Sequence, residues 1–207
     1  MLTIACVLRS GGEYKPEHVV ALRDGVRRHL SLPHRFVCLS DKPIVDVHCI
    51  LLEHGWPGWW SKVELWRPGV LSGAVVYLDL DTLVVGSIDD MVLGHRFTVL
   101  RNVWAPAGSP RIGSGLMAWS GDHSAIYHRF AADPARWMAT PQTKDNWGDQ
   151  GFLQGCLATD AERWQERHPG RVVSWRADCQ AGVPLGASII VFGGPARPWK
   201  TELWGRA

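Results

Sequence analysis

Residues Gly73–Asp90 read GAVVYLDLDTLVVGSIDD, the stretch from which the fold and the candidate site are inferred. Its first part, Ala74–Leu78, is an apolar run typical of a strand buried on both faces of a parallel sheet. Asp79 and Asp81 follow it, with only Leu80 between them. Because residues i and i+2 of an extended chain point to the same side, the two carboxylates are expected to lie close together. Such a pair requires a shared proton or a cation.

A divalent cation would relieve this repulsion. Hard ions such as Mn²⁺ and Mg²⁺ prefer oxygen ligands, and an ion held by Asp79 and Asp81 would keep coordination positions for the oxygens of a diphosphate. The sequence therefore predicts a metal site at these two residues. The alternative is a pair of solvated turn aspartates at the end of a strand.

The composition of the chain excludes several classes of protein. The chain has 207 residues, 46% of them hydrophobic and 20% charged, which predicts one globular domain over 1–207. The formal net charge is +2 and Lys and Arg form no run, so we expect no nucleic-acid partner. No stretch approaches the roughly 20 apolar residues of a membrane helix, and the N-terminal apolar run precedes its charges, unlike in a signal peptide. Five cysteines without a CxxC spacing indicate reduced thiols and a cytoplasmic protein.

Tryptophan is unusually frequent, with twelve residues. Most of them are expected to fill the core, and some are candidates for stacking against the C–H faces of sugar rings. The nine histidines show no HxH or HxxxH spacing, so none is predicted to be a metal ligand.

Strand and helix patterns alternate along the chain. Strands are predicted at Leu2–Leu8, Arg35–Leu39, Val45–Leu52, Ala74–Leu80, Phe97–Leu100, Gly115–Trp119 and Ser188–Phe192. Helices are predicted at Pro16–Leu30, Trp60–Leu71, His123–Met138 and Asp149–Ala158. This alternation predicts an α/β fold with a mostly parallel central sheet flanked by helices. The loops RSGGEY, LSD and DLDT leave strand ends, where such sheets bind ligands, and are expected to face one cleft.

Three classes of enzyme use a pair of aspartates after an apolar strand. A phosphatase of the haloacid dehalogenase type separates the second aspartate from a threonine, whereas Thr82 follows Asp81 directly. A nucleotidyltransferase has a glycine-rich loop with arginine after its first strand, which RSGGEYKP matches only in part. The third class is a sugar transferase.

The segments together resemble glycosyltransferase family 8, the group of glycogenin and the lipopolysaccharide galactosyltransferases. The resemblance runs from Leu8 to Trp199 through LRSGGEY, the SD after the second predicted strand, WSKVELW, YLDLDTLVVGSID, GSGLMAWSGD, WGDQGFL and IIVFGGPARPWK, in that order. It implies a GT-A fold, a Rossmann-like fold of enzymes that use nucleoside diphosphate sugars.

The resemblance also implies roles for individual residues. Contacts to the donor are implied for Leu8, Ser10, Tyr14, Ser40, Asp41, Lys62, Asp79, Ser114, Gly115, Gly194 and Arg197. The metal, Mn²⁺ or Mg²⁺, is implied at Asp79 and Asp81. Asp149 and Gln150, which would reach the donor sugar and the acceptor, are the implied catalytic residues.

Three positions depart from the family pattern. The closing segment normally supplies a histidine to the metal near Val191–Gly194, and none is present. Gly113 stands where the family has asparagine before Ser114, and Arg197 replaces the more usual lysine, a change that keeps the positive charge for a diphosphate.

The resemblance implies transfer of a hexose from a UDP-sugar to an acceptor hydroxyl with retention of configuration. Retention by double displacement needs a carboxylate nucleophile, for which Asp149 is the candidate, whereas same-face attack by the acceptor needs none. Because of the missing histidine, a nucleotide-sugar binding protein without turnover is the second hypothesis. A phosphatase with Asp79 as nucleophile is the third. The acceptor, whether saccharide, protein or small molecule, stays open.

Overall fold

The computed structural model describes residues 1–102, 105, 108–143, 147–157 and 160–205. The strands are β1 Leu2–Leu8, β2 His34–Ser40, β3 His48–Leu51, β4 Ala74–Leu78, β5 Thr82–Val84, β6 Phe97–Arg101, β7 Ile112–Ser120, β8 Glu162–Arg163, β9 Val172–Ser174 and β10 Ile189–Val191. The α-helices are α1 Pro16–His29, α2 Ser124–Ala131, α3 Pro134–Ala139, α4 Gly148–Leu157, α5 Trp164–Arg167 and α6 Trp175–Asp178. Two 3-10 helices cover Gly58–Trp66 and Pro198–Lys200.

Seven of the described strands form the main sheet, in the order β3-β2-β1-β4-β7-β6-β8. Neighbouring strands in it are parallel, except that β7 runs antiparallel to both β4 and β6. The predicted α/β fold with a mostly parallel sheet is therefore confirmed.

The sheet lies between two apolar layers. Strand β1 is buried along its whole length, and its side chains alternate between the layers because successive residues of a strand point to opposite faces. Ile4 and Cys6 pack with Val19 and Leu22 of α1 on one face. Ala5 and Val7 belong to the second core, with aromatic residues of the Gly58–Trp66 helix, α2 and α4. Burial on both faces explains why β1 and β4 read as continuous apolar runs.

A smaller sheet, β5-β10-β9, begins directly after the aspartate pair. Thr82 of β5 pairs with Val191 of β10 in antiparallel register. The backbone N–H of Phe192 donates to the carbonyl of Asp81 at 3.3 Å. Asp79 and Asp81 therefore lie at the junction of the two sheets, next to the segment that follows β10.

Several predicted element boundaries were wrong. The predicted helix Trp60–Leu71 is the 3-10 helix Gly58–Trp66, and it ends because Arg67 precedes a proline and takes an extended conformation (φ −61°, ψ 133°). The hydroxyl of Ser61 donates to the carbonyl of Gly58 at 2.7 Å instead of capping a helix start.

The predicted helix His123–Met138 is divided into α2 and α3. The side chain of Asp133 accepts a hydrogen bond from the backbone N–H of Arg136 and Pro134 takes the first position of α3, so a new helix begins there. Strand β3 begins at His48, after Asp46 with φ 58°. The strand predicted to reach Leu80 ends at Leu78. Residue Ala158, the predicted end of α4, lies outside the described residues.

Two further expectations concern the whole chain. All five cysteines are free thiols. Among the described residues, no helix has the length and apolar character needed to cross a membrane.

Candidate active site

The site is built around Lys62, whose ammonium group lies between two carboxylates. Its Nζ is 3.2 Å from Oδ1 of Asp79 and 3.0 Å from Oδ2 of Asp149. The three side chains arrive from the Gly58–Trp66 helix, the end of β4 and the first turn of α4. Lys62 and Asp149 are buried, so their charges are held largely away from water.

Burial and neighbouring charges shift the pKa values of Lys62 and Asp149 in opposite directions. Burial alone would lower the pKa of Lys62, but the carboxylates of Asp149 and Asp79 outweigh it, and the net pKa is raised. Burial raises the pKa of Asp149, and the ammonium of Lys62 opposes that rise. Although Oδ2 of Asp149 is within ion-pair distance of Lys62, it receives no hydrogen bond of good geometry. This oxygen is enclosed by protein, and the ammonium of Lys62 compensates its charge.

Asp79 is held from three sides. Its backbone N–H donates to the carbonyl of Gly115 on β7 at 2.9 Å, and the hydroxyl of Tyr77 donates to its Oδ1. A Cβ added to Gly115 would lie 3.1 Å from Oδ2 of Asp79, so the absent side chain leaves room for the carboxylate. The Oγ of Ser114 lies 3.4 Å from Nζ of Lys62.

Asp81 is buried near a second cation. The hydroxyl of Tyr14 donates to its Oδ2 at 2.8 Å, and Nη1 of Arg197 is 3.7 Å from the same oxygen. Burial and then the charge of Asp79 raise the pKa of Asp81 to about 7, despite these partners. The charge of Asp79 thus acts on Asp81, but across a turn closed by the hydrogen bond from Thr82 N–H to the Asp79 carbonyl at 3.1 Å, whereas the prediction assumed an extended chain.

Two carboxylates are a donor set that a divalent ion completed by a ligand would accept. Among the described residues, no group of three His, Cys, Asp or Glu side chains is arranged to hold a metal. Mg²⁺ is commonly bound in proteins through one or two carboxylates, with water and substrate phosphates in the other positions. Asp79 and Asp81 supply this kind of donor set and no closed protein cage.

Arg197 fastens the segment after β10 to the β1–α1 loop. Its Nε and Nη2 contact Oε2 of Glu13 at 2.9 and 2.8 Å. Its Nη1 donates to the carbonyls of Gly194 and Ala196. Trp199 adds an apolar contact, because its ring stacks on His18 with centroids 3.9 Å apart. The loop that the sequence assigns to the diphosphate thus lies beside Asp81.

A cavity of about 200 Å³ opens beside this loop at the carboxyl ends of β1 and β2. Its lining includes Leu8, Ser10, Tyr14, Ser40 and Ile44. Asp41 lies beneath the loop, where it accepts from the backbone N–H of Ser10 at 2.8 Å and forms an ion pair with Arg9 at 3.6 Å. Partial burial opposes the effect, but the hydrogen bonds from Ser10 lower the pKa of Asp41 and keep it ionised.

The predicted site residues therefore fall into two neighbouring groups. The first group lies around the ammonium of Lys62 and consists of Asp79, Ser114, Gly115 and Asp149. Gln150 lies near them, with Oε1 3.7 Å from the position of a Cβ on Gly113. Leu8, Ser10 and Ser40 line the cavity, and Asp41 contacts it through Ser10. Tyr14 and Arg197 both contact Asp81 and so join the two groups, and the carbonyl of Gly194 accepts from Arg197.

Sequence reasoning missed two contacts in the site. Tyr77 was treated as a core strand residue, although its spacing of two from Asp79 places both on one side of the strand and is the signal that predicts their contact. Glu13, the partner of Arg197, carries no local signal, because the two residues are 184 positions apart.

Comparison with known proteins finds solved structures that share the fold of this chain. No protein-family model and no curated protein sequence matches the chain. The structure of an active-site mutant of LgtC matches with TM-score 0.66 and 14% identity, covering 98% of this chain and 92% of LgtC. A structure of galactosyltransferase LgtC in complex with donor and acceptor sugar analogs gives the same values.

The apo-form glycosyltransferase GlyE from Streptococcus pneumoniae TIGR4 matches with TM-score 0.66 and 11% identity. The match covers 95% of this chain and 55% of GlyE, so the chain spans about half the length of that protein. At such identities the comparisons establish the fold. The chain has the GT-A fold of LgtC, which it shares over nearly its whole length with GlyE, as the resemblance predicted.

Proposed function

We propose that the chain is a glycosyltransferase that moves a hexose from a nucleoside diphosphate sugar, UDP-linked, to an acceptor hydroxyl with retention of configuration. The observation that carries the proposal is the buried ion pair of Lys62 with Asp79 and Asp149, at the carboxyl end of β4 on this fold. Fold alone does not assign an activity, whereas a buried charge cluster at a strand end is typical of a catalytic site.

One set of residues contacts the diphosphate leaving group and the nucleoside. When bound at Asp79 and Asp81, Mn²⁺ or Mg²⁺ would neutralise the negative charge that develops on the departing diphosphate. Arg197 and Lys62 bring positive charge to the same region. The cavity lined by Leu8, Ser10 and Ser40 receives the nucleoside.

Asp149 and Gln150 bind the sugar and the acceptor. The ion pair of Asp149 with Lys62 fixes the orientation of its carboxylate. In a double displacement Asp149 is the nucleophile, and in same-face attack it positions the acceptor.

Thermal unfolding with UDP, GDP, CDP or ADP, each with Mn²⁺, Mg²⁺ or EDTA, tests the donor site, because a ligand of the folded state raises Tm. We expect UDP with Mn²⁺ to give the largest shift, and Asp81→Asn to abolish its metal dependence. Asp24→Asn, at a carboxylate 40% exposed, is the matched control and should behave like the parent chain. No shift with any nucleotide would contradict the proposal.

The second candidate is a nucleotide-sugar binding protein without turnover. It is favoured by the lack, among the described side chains, of a third protein ligand for the metal. Release of hexose from the UDP-sugar distinguishes the two, since an enzyme slowly hydrolyses its donor and a binding protein does not. A phosphatase stays a hypothesis from the sequence, and trapping of a phosphate on Asp79 would favour it.

Two broader proposals accompany the activity. The chain acts as one domain over 1–207, and it works in the cytoplasm, which its free cysteines favour. The absence of Lys and Arg runs argues against a nucleic-acid partner.

A further inference from the structure

Two exposed tryptophans stand beside the buried charge cluster. Trp59 is 41% exposed and Trp147 is 55% exposed, and among the tryptophans that the structure describes these two are the exposed ones. Their ring centroids are 6.2 Å apart and their planes are inclined by 44°. The two large rings together form an exposed aromatic surface beside the charge cluster, of the kind on which an apolar face of a ligand can pack.

The chain places this pair next to the reacting groups. Trp59 belongs to the same 3-10 helix as Lys62, and Trp147 precedes Asp149 by two residues. The Trp59 ring lies directly on the backbone of Gly148, where an added Cβ would be 2.6 Å from its Nε1. Only the bond from Gly148 to Asp149 then separates this contact from the carboxylate that pairs with Lys62.

The size of the surface selects the kind of ligand. A fully exposed Trp presents roughly 250 Å², so the two rings offer on the order of 250 Å² together. A stable protein partner needs about 800 Å² on each side. The pair is therefore too small for a protein interface and is matched to one or two rings of a small ligand, whose apolar face packs on the indoles.

We propose that Trp59 and Trp147 form the acceptor subsite and that the acceptor presents a neutral pyranose ring to them. The proposal rests on the proposed glycosyl transfer and names the class of its acceptor. C–H bonds on one face of a pyranose pack on the indoles while its hydroxyls stay in water, and a hydroxyl at the edge of the ring faces Asp149 and Gln150.

Binding to immobilised neutral mono- to tetrasaccharides, in the presence of UDP and Mn²⁺, tests the proposal. We expect Trp147→Ala to weaken saccharide binding about tenfold, the scale of one aromatic contact. Trp147→Tyr should restore most of the affinity and Trp147→Leu should not, because packing on a C–H face needs an aromatic surface. Trp59→Ala should act in the same direction. Leu185→Ala, at a fully exposed side chain (105%), is the control for loss of apolar surface and should bind as the parent chain does.

The outcomes separate the subsite from the donor site. Saccharide binding that is absent in the parent chain, or equal in all the Trp147 variants, overturns the subsite. The Tm shift with UDP and Mn²⁺, measured on the same samples, reports the donor site independently. A normal shift without saccharide binding contradicts only the subsite, whereas tryptophan-dependent saccharide binding without a nucleotide shift supports the subsite and contradicts only the donor.

Discussion

At the scale of single residues, the site depends on one cation that compensates two carboxylates. Lys62 is buried between Asp79 and Asp149, which are 17 and 87 positions away along the chain. The sequence placed Lys62 near a diphosphate, but this three-membered cluster could not be predicted, since ion pairs between distant segments carry no local pattern. The spacing of Asp79 and Asp81 predicted two neighbouring carboxylates from an extended chain, whereas the strand ends at Leu78 and the two residues lie in a turn.

Removing the cation should destabilise the protein. We expect Lys62→Met to lower the free energy of unfolding at pH 7 by about 3 kcal/mol, because it leaves the buried carboxylate of Asp149 and the half-buried one of Asp79 without a counter-charge. Urea denaturation measures the loss, and Lys200→Met, at an exposed lysine, is the control. The difference should shrink in acid, where protonated carboxyls need no cation. Equal stability of both variants would contradict the compensating role.

Gly115 tests whether the position of Asp79 matters for binding rather than for folding. In Gly115→Ala the new Cβ would lie 3.1 Å from Oδ2 of Asp79 and displace the carboxylate. We expect affinity for UDP with Mn²⁺ to fall about tenfold. The free energy of unfolding should fall by about 1 kcal/mol, the low end of the cost of overpacking, because the displaced carboxylate is only half-buried. Gly155→Ala, where the nearest atom is 3.9 Å away, is the matched control. Isothermal titration calorimetry measures both, and unchanged affinity in Gly115→Ala refutes the argument.

At the scale of elements, buried strands were predicted well and helix boundaries less so. Strand β1 was predicted with its correct bounds, because a strand buried on both faces has an unbroken apolar sequence. The Gly58–Trp66 segment has the apolar content of a helix, yet periodicity does not distinguish a 3-10 from an α-helix over nine residues. The division between α2 and α3 was readable from Asp133 followed by Pro134, a capping signal that the longer apolar spacing obscured.

The contribution of His18, at the start of α1, to the stability of the fold is expected to depend on pH. The Nδ1 atom of His18 accepts from the backbone N–H of Lys15 at 3.1 Å, and its ring stacks on Trp199. Burial lowers the pKa of His18 below its ordinary 6.5, with Glu17 raising it and Lys15 lowering it. The unfolded chain therefore takes up this proton first, so the contribution of His18 is complete above pH 6.5 and is lost as the pH falls through the folded-state pKa.

We expect the stability difference between the parent chain and His18→Gln to diminish from pH 8 to pH 5, roughly the range over which a histidine of this kind titrates. Chemical denaturation across the pH series measures it. The exposed His128→Gln serves as the control for losing a histidine. A difference that stays constant, or grows in acid, contradicts the assigned sign.

At the scale of the whole molecule, the donor site is assembled from segments far apart in the chain. The β1–α1 loop, the end of β4 and the segment after β10 meet at Asp81 through Tyr14 and Arg197. The order of motifs was sufficient to predict the GT-A fold that LgtC shares. The clamp of Arg197 on Glu13 and the position of the exposed tryptophans depend on tertiary packing and were not predictable.

Metal and nucleotide should bind cooperatively. Asp79 and Asp81 supply only part of a coordination shell, so diphosphate oxygens are needed to complete it. We expect Mn²⁺ alone to change Tm little, and Mn²⁺ with UDP to raise it more than the sum of the separate shifts. At about 100 times Kd, binding adds about 2.7 kcal/mol to the free energy of unfolding. Additive shifts would show that the protein holds the ion without the nucleotide.

The pairing of β5 with β10 has a consequence for biosynthesis. Thr82 in β5 pairs with Val191 in β10, which is synthesised 109 residues later (191 minus 82). The smaller sheet therefore cannot form before β10 is made. Contacts of such separation form late, because closing a long loop has an entropic cost that local contacts avoid. Until β10 is available, the edge of β5 stays unpaired and the carbonyl of Asp81 lacks its hydrogen bond from Phe192. Translation arrested before that strand should yield a chain unable to retain nucleotide, so nucleotide binding is expected only once β10 has been made.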